Sequence, residues 1–183
     1  MSKLRAMPSF TWSSERIRAF DAALAKRPHF SRFNHVSVWA RDVEISKRFY
    51  ADVLGGRIVN EGTPHFAEIE VAGVIVGVSD VRGVPAPADA EFPHMAFEIE
   101  SEHFLPMKTW LEDHGVRTHE PWTRHQVEGL MYFKDPAGNL IEIYCPQFAG
   151  AKSLRTSGTP IGVVDLTDLD YEWDPTLADP VLV

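Results

Sequence analysis

The feature that most constrains the fold is an internal repeat of a strand that opens with a histidine. The segments FNHVSVWA and FPHMAFEIE each begin with Phe, one further residue and His, and the two histidines, His35 and His94, lie 59 positions apart. Both segments then alternate apolar and polar residues, which predicts half-buried β-strands. An imidazole on an apolar strand costs free energy unless something binds it, so two such histidines at equivalent positions predict a binding role.

The elements that follow each histidine repeat in the same order. Residues 43–54 and 101–115 predict helices that end at glycine, with Gly55 and Gly115 at equivalent places. Each helix precedes a pair of strand segments, HFAEIEV and VIVGVSD in the first copy and GLMYFKD and NLIEIYC in the second. The repeat therefore indicates two similar supersecondary units that pack against each other.

The predicted domain organisation has three parts. The N-terminal arm contains an amphipathic helix at 14–27, and a Pro-rich linker joins the two repeats of the body. The tail has little periodicity and many Asp and Pro residues, so we expect an extended segment draped on the surface. The division is 1–32 for the arm, 33–146 for the body with repeats at about 33–80 and 92–146, and 147–183 for the tail.

Composition and charge limit the partners. A chain of 183 residues that is 44% hydrophobic can bury one sizeable core, and its net charge of −8 argues against a nucleic-acid surface, which needs clustered Lys and Arg. The longest uncharged apolar run, VAGVIVGV, is too short to span a bilayer. The single cysteine, Cys145, excludes an intramolecular disulfide. We therefore expect a soluble cytoplasmic protein with a small-molecule partner and neither nucleic acid nor membrane as partner.

A carboxylate completes a candidate metal site. Glu142 stands in mid-strand between Ile141 and Ile143, where a carboxylate is expensive to bury unless it is paired or bound. Each histidine alone is explained by hydrogen bonding in the core, but His35 and His94 occupy equivalent positions and Glu142 lies on the matching last strand. Two imidazoles and one carboxylate can form a facial triad that leaves the other metal positions open. We predict one divalent cation, with Fe(II) favoured and Mn(II) possible.

The sequence resembles the vicinal oxygen chelate superfamily, which includes glyoxalase I, fosfomycin-resistance thiol transferases, bleomycin-binding proteins and extradiol dioxygenases. The resemblance rests on FNHVSVWARDVEISKRFYADVLGGRIV, on FPHMAFEIE and on YFKDPAGNLIEIY, which is similar to the closing hairpin of that family. It implies an α+β fold in which two βαβββ units form a cupped mixed sheet around one metal. It also implies that His35, His94 and Glu142 are the metal ligands.

Within that family, the run from His125 to Glu142 resembles the extradiol dioxygenase signature. In those enzymes the Tyr ten residues before the Glu hydrogen-bonds the ring oxygen, and the upstream His lies just beyond the metal ligands. The resemblance implies catalytic roles for Tyr132 and His125 in an Fe(II)-dependent dioxygenase that cleaves the ring of a small catecholic aromatic. The acid/base His of many such enzymes has no counterpart on the last strand of the first repeat, which leaves His65 and His119 as substitutes.

Two other functions remain open. A glyoxalase-like or fosfomycin-resistance-like lyase or thiol transferase would use the same metal to polarise a substrate oxygen, and a binding protein of the same fold would use no metal. The fourth ligand of the glyoxalase-like lyases would fall near Val76 or Gly77, where the sequence has no carboxylate or amide. Relatives of this size commonly pair, so we expect a homodimer. The substrate stays open, as does the number of subunits that supply the metal ligands.

Overall fold

The computed structural model describes residues 13–15, 18, 33–80, 93–156 and 166–177. The chain divides into two compact units, residues 1–33 and residues 34–183. In the first unit, Ser14, Glu15 and Arg18 are helical and exposed. Most of the predicted helix at 14–27 and nearly all of the Pro-rich linker lie outside the described residues.

The first repeat forms a four-stranded mixed sheet with one helix. Along the chain the elements are β1 (His35–Trp39), α1 (Val43–Arg48), β2 (Arg57–Thr63), β3 (Phe66–Val71) and β4 (Val74–Ser79). The strands lie in the order β1-β4-β3-β2, and β1 runs parallel to β4. The Asp42 side chain accepts a hydrogen bond from the backbone nitrogen of Ile45 at 3.0 Å, which caps α1. The helix continues as a π-helical turn over Phe49–Val53.

The second repeat has the same topology. Its elements are β5 (Met95–Glu98), α2 (Ser101–Asp113), β6 (Trp122–Thr123), β7 (Gly129–Lys134) and β8 (Leu140–Cys145), and β9 (Arg155–Thr156) extends the sheet. The strands lie in the order β5-β8-β7-β6-β9, with β5 parallel to β8. Gly55 and Gly115 follow the helical segments of the two repeats at φ values of +68° and +74°, a conformation that glycine adopts without strain. The predicted fold class, an α+β protein built from two βαβββ units, is confirmed.

Within the two βαβββ units, the sequence pattern alone misses two strands, β2 and β6. Every residue of β2 is exposed, so the strand has no buried face to impose an apolar alternation. Strand β6 is two residues long, which is too short to show any periodicity. Both strands complete the three-stranded part of their βαβββ unit.

The main core contains buried side chains from both sheets and both helical segments. Its members include Ile69, Val76, Phe49, Phe104, Met131, Phe133, Ile141, Ile143 and Cys145. Burial also raises the pKa of the Cys145 thiol. In the part of the chain that the structure describes, no helix is long and apolar enough to cross a membrane.

The described part of the C-terminal tail is more than a surface segment. It contains short 3-10 turns at Leu166–Leu169 and Pro175–Leu177. Among its described residues five apolar side chains are buried, and these include Leu166 at 8%, Leu169 at 1% and Trp173 at 5% exposure. Trp173 belongs to the main core, where its ring meets that of Phe49 edge-on at 5.5 Å between centroids.

A buried polar contact joins the two repeats. The Tyr50 hydroxyl donates to Oδ2 of Asp135 at 2.9 Å, and Asp135 is 2% exposed. Asn139 Nδ2 donates to the same carboxylate oxygen and to the backbone oxygen of Trp39, both at 2.7 Å. Burial raises the pKa of Asp135, although the hydrogen bonds from Asn139 and Tyr50 oppose this effect.

We predict that Tyr50→Phe lowers the free energy of unfolding by about 1–3 kcal/mol, because it removes one donor from a buried carboxylate. Chemical denaturation measures the change. Tyr144→Phe is the control, since its hydroxyl donates to Glu128 from a partly exposed position and its loss should cost less than about 1 kcal/mol. Equal losses in the two variants would contradict a special role for the Tyr50 contact.

Candidate functional site

The candidate site lies on the face of the second sheet that points away from the main core. Ile141 and Ile143 of β8 belong to the core, so Glu142 between them faces the opposite side. The register places Tyr132 of β7 and Ala96 of β5 beside Glu142, one on each side. A carboxylate that is only 6% exposed therefore stands in the middle of this face.

His94 is the partner of the buried carboxylate. Its Nε2 lies 2.9 Å from Oε2 of Glu142, and the two side chains are 16% and 8% exposed. The His94 ring also meets the ring of Tyr132 edge-on, with 5.6 Å between centroids and 74° between planes. A buried carboxylate is costly unless it is paired or bound to a cation. The pair thus accounts for the burial of Glu142 and places a nitrogen and an oxygen donor side by side.

His35 lies in a different environment. It is exposed at the start of β1 in the first sheet, where its Nδ1 lies 2.9 Å from Oδ1 of Asn34. Among the described residues, no group of three or more His, Cys, Asp or Glu side chains is arranged to hold a metal ion. Within one chain the structure therefore brings together His94 and Glu142 of the predicted triad, but not His35.

The donors of the pair fit two positions of a divalent cation. Imidazole nitrogen and carboxylate oxygen are ligands that suit Mn(II), Fe(II) and Zn(II). The two donor atoms lie 2.9 Å apart, so both could approach the same ion. At least one further ligand has to come from outside this pair.

Of the two residues predicted to be catalytic, Tyr132 adjoins the pair and His125 does not. Tyr132 is 1% exposed and is the cross-strand neighbour of Glu142. His125 is exposed in the turn between β6 and β7, with a left-handed φ of +58°. Nothing in the geometry assigns either residue a chemical step, so both roles stay predictions.

His65 and His119, the predicted substitutes for the missing acid/base histidine, lie in different parts of the structure. His65 is exposed in the turn between β2 and β3, where its Nδ1 lies 2.8 Å from Oδ2 of Asp80. His119 lies beside β7, because its backbone nitrogen donates to the backbone oxygen of Tyr132 at 2.8 Å. Its Nδ1 is buried and has no hydrogen-bond partner among the described residues, and burial lowers the pKa of its imidazole. His119 is therefore the one that neighbours the candidate site.

The place of the fourth glyoxalase-type ligand is taken by a residue without a side chain. Gly77 lies in β4 between Ser37 of β1 and Glu68 of β3. Glu68 is half-buried, and the side-chain nitrogen of Asn60 donates to it at 3.2 Å. The first sheet therefore offers a carboxylate next to the position of this ligand, but on the neighbouring strand.

The sequence pattern did not identify the residues that cover the Glu142 face. Leu166 and Leu169 of the C-terminal segment pack there, and Asp170 pairs with the buried Lys134 at 2.6 Å between Nζ and Oδ1. The signal in the sequence is weak. It consists of two leucines three positions apart in LTDLD, a spacing that a single helical turn also explains.

Comparison with known proteins agrees with this architecture. Residues 32–143 match the family model of the Glyoxalase/Bleomycin resistance protein/Dioxygenase superfamily. The metallothiol transferase FosB of Staphylococcus saprophyticus is 30% identical over 61% of this chain and 74% of its own length. The glutathione transferase FosA of Serratia marcescens is 26% identical over 74% of this chain and 95% of its own length.

A solved structure shows the same fold. A mutant of the fosfomycin resistance protein FosX from Listeria monocytogenes, complexed with Mn(II) and 1S,2S-dihydroxypropylphosphonic acid, is 18% identical to this chain. It superimposes with a TM-score of 0.56 over 68% of this chain and 98% of the FosX chain. At this level of identity the likeness concerns the fold alone.

These relatives contradict the dioxygenase prediction. FosB and FosA are transferases, so the prediction of an extradiol enzyme that cleaves a catecholic ring is wrong. These relatives do not support the prediction that Fe(II) in particular is the metal. The motif that suggested the dioxygenase includes Asp135, Pro136 and Gly138, which build the β7–β8 hairpin. A hairpin of this kind serves the fold, whatever reaction the face beside it supports.

We predict that Glu142→Gln lowers Mn(II) affinity by more than about 100-fold, since even the loss of a hydrogen bond to a ligand costs about 10–100-fold. Equilibrium dialysis followed by elemental analysis measures the affinity. Glu98→Gln is the matched control, because Glu98 lies exposed on β5 and should change the affinity less than about threefold. Unchanged Mn(II) binding by Glu142→Gln would remove Glu142 from the ligand set.

Proposed function

Because the chain belongs to the Glyoxalase/Bleomycin resistance protein/Dioxygenase superfamily, we propose that it is a metal-dependent thiol transferase for a small oxygen-bearing electrophile. The observation that carries this proposal is the buried pair of His94 and Glu142, with its two donor atoms 2.9 Å apart. The transferases FosB and FosA support the same reaction class. In the reaction, the thiol sulfur forms a bond to carbon, the carbon–oxygen bond breaks, and the released oxygen takes up a proton.

His94 and Glu142 would hold the cation. A bound divalent metal supplies Lewis-acid polarisation of the substrate oxygen. Mn(II) is the first metal to test, because it is present in the FosX complex, and Fe(II) is the second.

The neighbours of the pair orient it and exclude water. Tyr132 packs edge-on against His94 and lies across from Glu142, so it restricts the orientation of both side chains. Leu140 is 6% exposed and Leu130 is fully buried on the same face. In such dry surroundings, electrostatic interactions between the site and a substrate are stronger than in water.

We further propose that a second copy of the chain supplies His35. In one chain His35 lies on an exposed edge of the first sheet, and Ser37 on the same face is exposed as well. The second sheet carries the two donors that need a further ligand. A two-fold symmetric pair in which each first sheet faces the partner's second sheet would complete two equivalent sites. This arrangement would be a homodimer, as the sequence predicts, and it adds the proposal that both subunits supply ligands, a point that the sequence leaves open.

We expect the Mn(II)-loaded protein to form an adduct between glutathione or L-cysteine and fosfomycin, an epoxide that matches the proposed substrate class. Mass spectrometry detects the adduct, and loss of free thiol gives the rate. His94→Ala should lose at least about 100-fold in rate, because it removes a proposed metal ligand. His103→Ala is the control, since His103 is exposed on α2.

The absence of any adduct from a panel of epoxides and thiols, with the metal bound, would contradict the transferase. Equal rates in the His94→Ala and His103→Ala variants would contradict the proposed site.

Complementation tests the two-chain arrangement. His35→Ala and Glu142→Gln are each expected to be inactive as purified dimers. After the two are unfolded together and refolded as an equal mixture, half of the dimers contain one chain of each kind, and each of these has one intact site. The mixture should therefore recover about one quarter of wild-type activity. Recovery near zero, in a mixture shown to contain mixed dimers, would place all three ligands on one chain.

A further inference from the structure

The C-terminal segment of the chain covers part of the face that carries Glu142. Leu166 and Leu169 form an apolar cluster with residues of the second sheet, namely Trp122, Leu130, Tyr132 and Leu140. This cluster is separate from the main core and includes Tyr132 and Leu140, the neighbours of Glu142 in space. Among the described residues of the tail, the two leucines thus pack against the neighbours of Glu142.

Polar contacts hold this segment on β7. Lys134 is only 4% exposed, and its Nζ lies 2.6 Å from Oδ1 of Asp170. The Tyr171 hydroxyl donates to the backbone oxygen of Lys134 at 2.7 Å. An Arg117 guanidinium nitrogen donates to the backbone oxygen of Asp170 at 3.0 Å. The residues directly after Leu169 thus have defined partners, which restricts where the leucines can lie.

The segment is also anchored beyond these contacts. Trp173 is inserted into the main core, and its Nε1 donates to the backbone oxygen of His114 at 2.9 Å. Farther on, the backbone oxygen of Pro175 accepts a hydrogen bond from Arg48 at 3.0 Å. With the chain held at Asp170 and again at Trp173, Leu166 and Leu169 are positioned against Tyr132 and Leu140 on the Glu142 face.

We propose that Leu166 and Leu169 are specificity-determining residues that close the Glu142 face on its β7 and β6 side. The proposal rests on the proposed function, because it concerns the substrate of that same site. By covering Trp122 and Leu130, the leucines leave the part of the face around His94 and Ala96 for a ligand. The site then takes compact, oxygen-bearing substrates and excludes those with a bulky apolar substituent.

The test uses the full-length, Mn(II)-loaded protein and three ligands of increasing bulk, namely methyl-, butyl- and phenylphosphonate. Isothermal titration calorimetry measures their binding to the metal-loaded protein. A second series of titrations repeats the measurement with the metal-free protein. Wild type should bind methylphosphonate more tightly than phenylphosphonate. In the double variant Leu166→Ala/Leu169→Ala, the ratio of the two dissociation constants should change by about tenfold or more in favour of phenylphosphonate. Leu166→Ala alone, the milder change, should shift it in the same direction.

Leu177→Ala is the matched control. Leu177 belongs to the same segment but is 49% exposed and lies next to Gly115, so its loss should leave the preference unchanged. An unchanged preference in the double variant, or no binding of any phosphonate in either series, would overturn the proposal.

A second measurement tests whether Leu166 and Leu169 shield Trp122 from solvent. Trp122 is 2% exposed beneath the cluster, and the difference in fluorescence between each protein and its Trp122→Phe derivative isolates its signal. Acrylamide should quench this signal more strongly in the double variant than in wild type or Leu177→Ala. Equal quenching in all three would show that the leucines do not cover the face, and would overturn the proposal.

Neither measurement depends on turnover. Failure of thiol transfer in the wild-type protein would therefore contradict the proposed function alone. The phosphonate titrations and the acrylamide quenching would still test the role of the two leucines.

Discussion

The rest of the structure depends on the hydrogen bonds that the carboxylate of Asp135 accepts. It accepts hydrogen bonds from the backbone nitrogens of Ala137 and Asn139 at 2.9 and 2.8 Å, which fold the β7–β8 hairpin. It also accepts from the Tyr50 hydroxyl in the first repeat. Since a turn sets the register of a hairpin, this carboxylate places Tyr132 opposite Glu142. A slip of one residue would move Glu142 into the apolar core.

The alternation of side chains along β8 separates packing from chemistry. Ile141, Ile143 and Cys145 enter the main core, and Glu142 faces the other side with His94. The same separation applies to the first sheet, where Val76 is buried in the core and His35 is exposed on β1. Each repeat thus packs through one face of its sheet, and the proposed metal ligands lie on the opposite face, the ligand face. The proposed dimer follows from this division, because the ligand face of one repeat in a chain can meet that of the other repeat in a second copy.

The dioxygenase prediction failed for a reason that the hairpin makes clear. The motif from Tyr132 to Glu142 combines residues of the turn, which every hairpin of this kind needs, with two residues of the ligand face. Asp135 and Gly138 satisfy the backbone geometry of the turn and would do so whatever the substrate. Such a motif identifies the superfamily, but it carries little information on the reaction. The support for a transferase, the proposed reaction class, comes instead from the likeness to FosB and FosA.

The sequence by itself determined the duplicated order of strand, helix and strand pair and the face on which Glu142 lies, because strand alternation, helix ends and turns are local properties that neighbouring residues encode. The complete βαβββ units followed only from the resemblance to the superfamily, since β2 and β6 leave no apolar pattern. Only the tertiary structure decided that His94 pairs with Glu142 while His35 stays apart in another sheet. It alone revealed that Leu166 and Leu169 return to the Glu142 face. These contacts join residues far apart in the chain, and their free energy depends on how whole sheets pack, which no local periodicity records.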